Sequence, residues 1–116
     1  MNREIFRKMV LCAVSSRYID LKLSTIHNIT TMIVSNYDII LSDNNFTIDI
    51  NYSDNKTSVT IRDRYEDNNI VCLLDIAIHL REKEIITYFC DTVIENNTIV
   101  EKQENIRRCF VLEDFK

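Results

Sequence analysis

Arginine clusters, four cysteines and two histidines are the groups in this 116-residue chain that could hold an anion or do chemistry. Arg107 and Arg108 are adjacent, with Lys102 one to two helical turns earlier. Arg3, Arg7 and Lys8 gather near the start, and Arg62 and Arg64 stand two residues apart, on one side of a strand. A guanidinium grips phosphate through paired, charge-assisted hydrogen bonds, so the Arg107, Arg108 and Lys102 cluster and the Arg3, Arg7 and Lys8 cluster are candidate phosphate sites. Arg62 and Arg64 are read only as the polar face of their strand. The competing reading is a solvated helix face, laced by pairs such as Glu104–Arg108.

The other reactive residues are placed less favourably. Cys72 and His79 are seven residues apart, two turns along a helix, and the chain holds no Cys-x-x-Cys or His-x-x-x-His. No metal site and no cofactor is expected. Cys12, Cys72, Cys90 and Cys109 are widely spaced in apolar surroundings and read as buried, reduced thiols. A cysteine nucleophile needs a base beside it, and nothing in the spacing brings His27 or His79 to a thiol. Asp49 and Asp63 could form an acid–base pair. The simpler assignment makes Asp49 solvent-facing and pairs Asp63 with an arginine. Enzyme function is not expected.

Apolar residues make up 46% of the chain and charged residues 28%, the balance of a folded domain, and 116 residues is one domain's length. The net charge of -4 speaks against a general nucleic-acid binder. Glycine and proline are both absent, which removes dinucleotide fingerprints, Walker loops and nucleophile elbows. Turns must then fall on Asn and Asp, at Asp43-Asn44-Asn45, Asp54-Asn55, Asp67-Asn68-Asn69 and Asn96-Asn97. No secretory signal or transmembrane segment is expected, so the five Asn-x-Ser/Thr sequons should be silent.

The elements that must position these groups follow from apolar spacing. Residues 2–16 form a helix with Ile5, Phe6, Met9, Val10 and Ala13 on one face, and residues 22–35 form a second. Phe46, Ile48, Ile50 and Tyr52 alternate with polar residues, as do Val59, Ile61 and Tyr65 beyond a Ser53-Asp54-Asn55 turn. That is a hairpin over 46–52 and 57–64, joined by a short strand at 39–42 if the sheet is a meander. From Ile70 to Val93 the spacing predicts a long helical region, broken near Arg81–Glu84. Thr98 and Glu101 fit a capping box that starts a last helix, with Ile99, Ile106 and Phe110 inward. The expected fold is α+β: two N-terminal helices, a central antiparallel hairpin or three-stranded meander, and two or three C-terminal helices.

The pattern Phe46-x-Ile48-Asp49-x-x-Tyr52-x-x-x-Lys56-x-Ser58 resembles the hairpin of a small poxvirus late-protein family. The preceding Ile40-x-Ser42-Asp43 and the later Ile106-Arg107-Arg108-x-Phe110 are similar to that family's corresponding segments. The family is required for crescent membranes in virion morphogenesis, and it binds phosphoinositides. The resemblance implies a non-enzymatic viral protein of the host cytoplasm that binds anionic membrane lipids peripherally, with other viral assembly proteins as partners. Arg107 and Arg108 are carried over as headgroup-binding residues by position; Lys102 joins them from helical geometry. Residues 111–116 are mixed in charge where the family continues with Lys and Arg. The alternative is a virus-encoded protein-interaction module antagonising host signalling; small Bcl-2-like helical proteins are the comparison, but their all-helical bundle conflicts with the alternation at 46–65.

Overall fold

The computed structural model describes residues 2–37 and 46–115. Helix α1 (Asn2–Arg17) buries Phe6, Val10, Ala13 and Val14, a stripe at three- and four-residue spacing. Helix α2 (Leu23–Asn36) buries Ile26, Ile29, Thr30 and Ile33. The Thr30 hydroxyl is satisfied inside the core by donating to the Ile26 carbonyl at 2.9 Å. Both helices lie where apolar spacing predicts them.

The rest of the chain is sheet. Strands β1 (Phe46–Tyr52), β2 (Thr57–Asp67), β3 (Ile70–Leu80), β4 (Glu84–Glu95) and β5 (Thr98–Val111) form one antiparallel meander in sequence order. A single 3-10 turn, Leu112–Phe115, follows. The predicted hairpin over 46–52 and 57–64 is present, with Ile48 opposite Ile61 and Ile50 opposite Val59. The predicted strand at 39–42 lies outside the described residues.

The C-terminal helices are overturned: 70–111 is three strands. The physical reason lies in residue type and in burial. Ile85, Ile86 and Thr87 are all buried, so β4 shows an apolar run instead of clean alternation. A run of that kind fits a helix or a strand equally well by spacing. Its β-branched and aromatic residues (Ile85, Ile86, Thr87, Tyr88, Phe89) favour the pleated surface. In β5 two register shifts against β4, at Phe89/Asp91 and Val93/Ile94, break the period of two and imitate helical spacing. The Thr98 capping box is instead the start of β5 after a tight turn. A five-stranded sheet also rules out the all-helical Bcl-2-like bundle.

Asparagine builds the β2–β3 and β4–β5 turns, whereas the β3–β4 turn, Arg81-Glu82-Lys83, uses neither Asn nor Asp and corrects the expectation that every turn falls on them. Asn96 and Asn97 have φ of 51° and 63° between the paired residues Glu95 and Thr98, a two-residue turn of type I′. Asn68, with φ of 54°, reverses the chain between the paired Asp67 and Ile70. Asn tolerates this left-handed region better than other non-glycine residues.

The helices cover one face of the sheet. Ile61, Ile76, Ile78, Leu80 and Ile85 are fully buried beneath them, and Ile48 and Ile50 pack at the margin. Each such side chain stabilises the fold by about 1.5–3 kcal/mol on burial, well above any exposed ion pair. At one end Arg17 donates to the carbonyls of Asp54 (3.2 Å) and Asn55 (2.7 Å), and the Tyr18 hydroxyl donates to the Arg81 carbonyl at 2.6 Å. These bonds pin the end of α1 to the β1–β2 and β3–β4 turns. Helix α1 is about 24 Å long and the longest strand about 46 Å, so the sheet outruns its helices. The molecule measures 50 × 27 × 24 Å.

Candidate anion-binding site

Pleating sends alternate residues of each strand to the face without helices, and the register aligns them into rows. Thr60, Ala77 and Tyr88 form one row; Thr47, Arg62 and Asp75 form the next; Arg64 and Leu73 form a third. Ala77 has only a methyl group, so the sheet dips between Thr60 and the Tyr88 ring. The result is a groove of about 780 Å³ whose walls include Arg62, Arg64, Leu73, Asp75 and Tyr88.

The groove is charged in pairs. Arg62 Nε lies 3.6 Å from Asp75 Oδ1, and Arg64 Nε donates to Glu66 Oε1 at 2.7 Å. All four side chains are more than half exposed, so each pair is worth no more than about 1 kcal/mol and yields readily to a ligand. Tyr88 is held from two sides. The His79 ring meets it edge-on at 5.3 Å between centroids, and the Arg107 guanidinium carbon is 5.9 Å from its centroid. His79 Nδ1 is enclosed with no partner among the described residues. Burial, then Lys56 and Arg81, hold the His79 pKa below its ordinary value, so the imidazole is neutral at pH 7.

Beyond Tyr88 the same face carries a polar chain at the β5 edge. Arg81 Nη1 donates to Glu84 Oε1 at 3.3 Å, and the Cys109 thiol donates to Glu84 Oε2 at 3.3 Å. That bond favours the protonated thiol and pushes the Cys109 pKa up, which opposes thiolate chemistry. Cys109 and His79 occupy the two sides of Ile86 in register. Two strand spacings, about 10 Å, therefore separate thiol and imidazole, too far for a nucleophile–base pair. Among the described residues no three His, Cys, Asp or Glu side chains could hold a metal ion.

The structure disperses the residues singled out from the sequence. Arg107, opposite Tyr88, is on the groove face, and Lys102, opposite Thr92, is on that face farther along β5. Arg108 points the other way and donates to Asn36 Oδ1 of α2 at 3.3 Å. On α1, Lys8 is 3.6 Å from Glu4, on the helix side of the molecule. The expectation of four buried thiols is corrected: all are free, Cys12 and Cys109 are exposed, and Cys72 and Cys90 are half-buried. Asp49 is exposed as expected. Asp63 is on the helix-covered face, and no donor among the described residues reaches its buried Oδ1. Of the groove, sequence reasoning paired Arg62 with Arg64 but missed Asp75, Ala77 and Tyr88. The period-two series Thr60-x-Arg62-x-Arg64 continues across the turn as Leu73-x-Asp75-x-Ala77, and that was the available signal.

No described helix is long and apolar enough to cross a membrane. No family model matches this chain, and neither a curated protein nor a solved structure matches it.

Proposed function

We propose that this protein is a non-enzymatic module that binds phosphate-bearing lipid headgroups peripherally through its open sheet face. In this reading it assists virion membrane assembly in the host cytoplasm, the role that the resemblance of the 46–58 hairpin implies. The observation that carries the binding is the placement of Arg62 and Arg64 along one groove, with Arg107 one strand beyond Tyr88 on the same face. Two guanidiniums about 7 Å apart along a strand can hold one phosphate group from both sides. Arg107 keeps the role given to it by position, while Arg108 serves the fold and Lys102 lends charge at a distance.

The test is co-sedimentation with phosphatidylcholine vesicles that contain or lack a phosphoinositide. The wild-type protein sediments with the phosphoinositide vesicles, and Arg62→Ala/Arg64→Ala loses at least tenfold in affinity. Equal binding to both vesicles, or an undiminished double variant, overturns the proposal.

A further inference from the structure

The two groove arginines are not free cations, and their partners carry information about the ligand. Arg62 faces the Asp75 carboxylate at 3.6 Å, and Arg64 is paired with Glu66. Counted with these partners, the local charge is zero: two guanidiniums and two carboxylates. A purely anionic ligand at such a place gains from the arginines and is repelled by the acids within the same few ångströms. A ligand that carries a cation beside its phosphate satisfies both signs. The added attraction of one opposite charge at contact distance is enough to separate the two ligand types.

We infer that the groove takes a phospho-ammonium group, with its phosphate on Arg62 and Arg64 and its primary ammonium on Asp75. The inference rests on the headgroup reading above and deepens it by naming the headgroup chemistry. Asp75 lies on β3, directly across from Arg62 on β2, so the two signs are presented side by side along one row of the sheet. A primary ammonium is favoured over a quaternary one for two reasons. It donates hydrogen bonds to the Asp75 carboxylate, which trimethylammonium cannot do. The Tyr88 ring, the natural seat for a quaternary cation, already has the Arg107 guanidinium near its face and the His79 edge against it. The Thr60 hydroxyl, also in the groove, adds a neutral donor for a phosphate oxygen.

The chemistry is shared by ethanolamine or serine phospholipid headgroups and by free phosphoethanolamine, and two arms separate these sources. In the first, backbone amide shifts of the full chain are followed by NMR during titration with O-phosphoethanolamine, glycerol phosphate and phosphocholine. The expected result is movement of residues 62–64 and 73–77, with phosphoethanolamine at least threefold tighter than either analogue. Asp75→Asn should erase that preference while retaining phosphate binding, and Arg62→Ala/Arg64→Ala should lose all three ligands. In the second arm, sedimentation compares phosphatidylcholine vesicles with vesicles containing phosphatidylethanolamine. Equal affinity for the three small ligands, or a preference that survives in Asp75→Asn, overturns the phospho-ammonium assignment, and phosphoinositide-vesicle binding would then stand by itself. Binding of free phosphoethanolamine without sedimentation on any vesicle upholds the groove chemistry and overturns the membrane reading.

Discussion

Arg107 and Arg108 are neighbours in sequence but lie on opposite faces of β5. The Arg107 guanidinium carbon is 5.9 Å from the Tyr88 ring centroid on the open face, while Arg108 Nη1 is 3.3 Å from Asn36 Oδ1 on the helix face. On a helix, adjacent arginines share a surface; on a strand they cannot. The pair therefore cannot close on one phosphate, and its two members should behave differently.

Arg107→Ala should weaken phosphoinositide-vesicle binding several-fold without unfolding the protein. Arg108→Ala should leave vesicle binding unchanged and lower stability by no more than about 1 kcal/mol, because its hydrogen bond is exposed. Sedimentation and urea denaturation of the two single variants read these outcomes. Equal loss of binding in both would show that the faces are not separated in solution.

Binding through the open face should be salt-sensitive. Arg62, Arg64, Asp75 and Glu66 are all solvent-exposed, and the screening length falls from about 10 Å at 0.1 M salt to about 3 Å at 1 M. Vesicle binding should fall at least tenfold over that range, and salt-independent sedimentation would point to an apolar contact instead.

His79 should give the fold an acid-side weakness. Its pKa is lowered by burial, Lys56 and Arg81, so the unfolded chain binds a proton more readily than the folded one. Stability is therefore full above the ordinary histidine range and declines as pH falls below about 6.5. His79→Gln should flatten that part of the curve between pH 7 and 5, measured by urea denaturation at each pH. An unchanged slope would remove His79 as the cause.

Tyr18 governs the alkaline side. Burial pushes its pKa up to about 12, and its hydroxyl donates to the Arg81 carbonyl at 2.6 Å. The raised value means that this stability is present below pH 10 and is lost as pH rises toward 12. Tyr18→Phe should cost about 1 kcal/mol at pH 7 and should show less decline above pH 10 than the wild type.

The Asn96-Asn97 turn should accept glycine and reject branched residues. Both positions have positive φ, where a Cβ is costly. Asn97→Gly gives the Asn-Gly pair preferred in type I′ turns and should raise stability by up to about 1 kcal/mol. Asn97→Val should lower it by about 1–2 kcal/mol. Thermal melts of the two variants decide the matter.

Local patterns in the chain were enough to place the two helices, the 46–64 hairpin, the asparagine turns at Asn68 and Asn96-Asn97, and the shared side of Arg62 and Arg64. Each is a local property: a spacing of three and four, an alternation of two, or a residue type that tolerates positive φ. Tertiary structure alone decided that 70–111 is sheet. Ile85, Ile86 and Thr87 are buried together, so period there reports burial on both faces and not backbone type. It likewise decided that Ala77 lies between Thr60 and Tyr88, and Asp75 beside Arg62, because those rows depend on strand register across turns. Register is fixed only when the apolar side chains of β2, β3 and β4 seat together beneath the helices, since a slip of one residue would turn them all to solvent. The groove is a by-product of that fit, which is why its arginines were visible in the sequence while its acid, its floor and its aromatic wall were not.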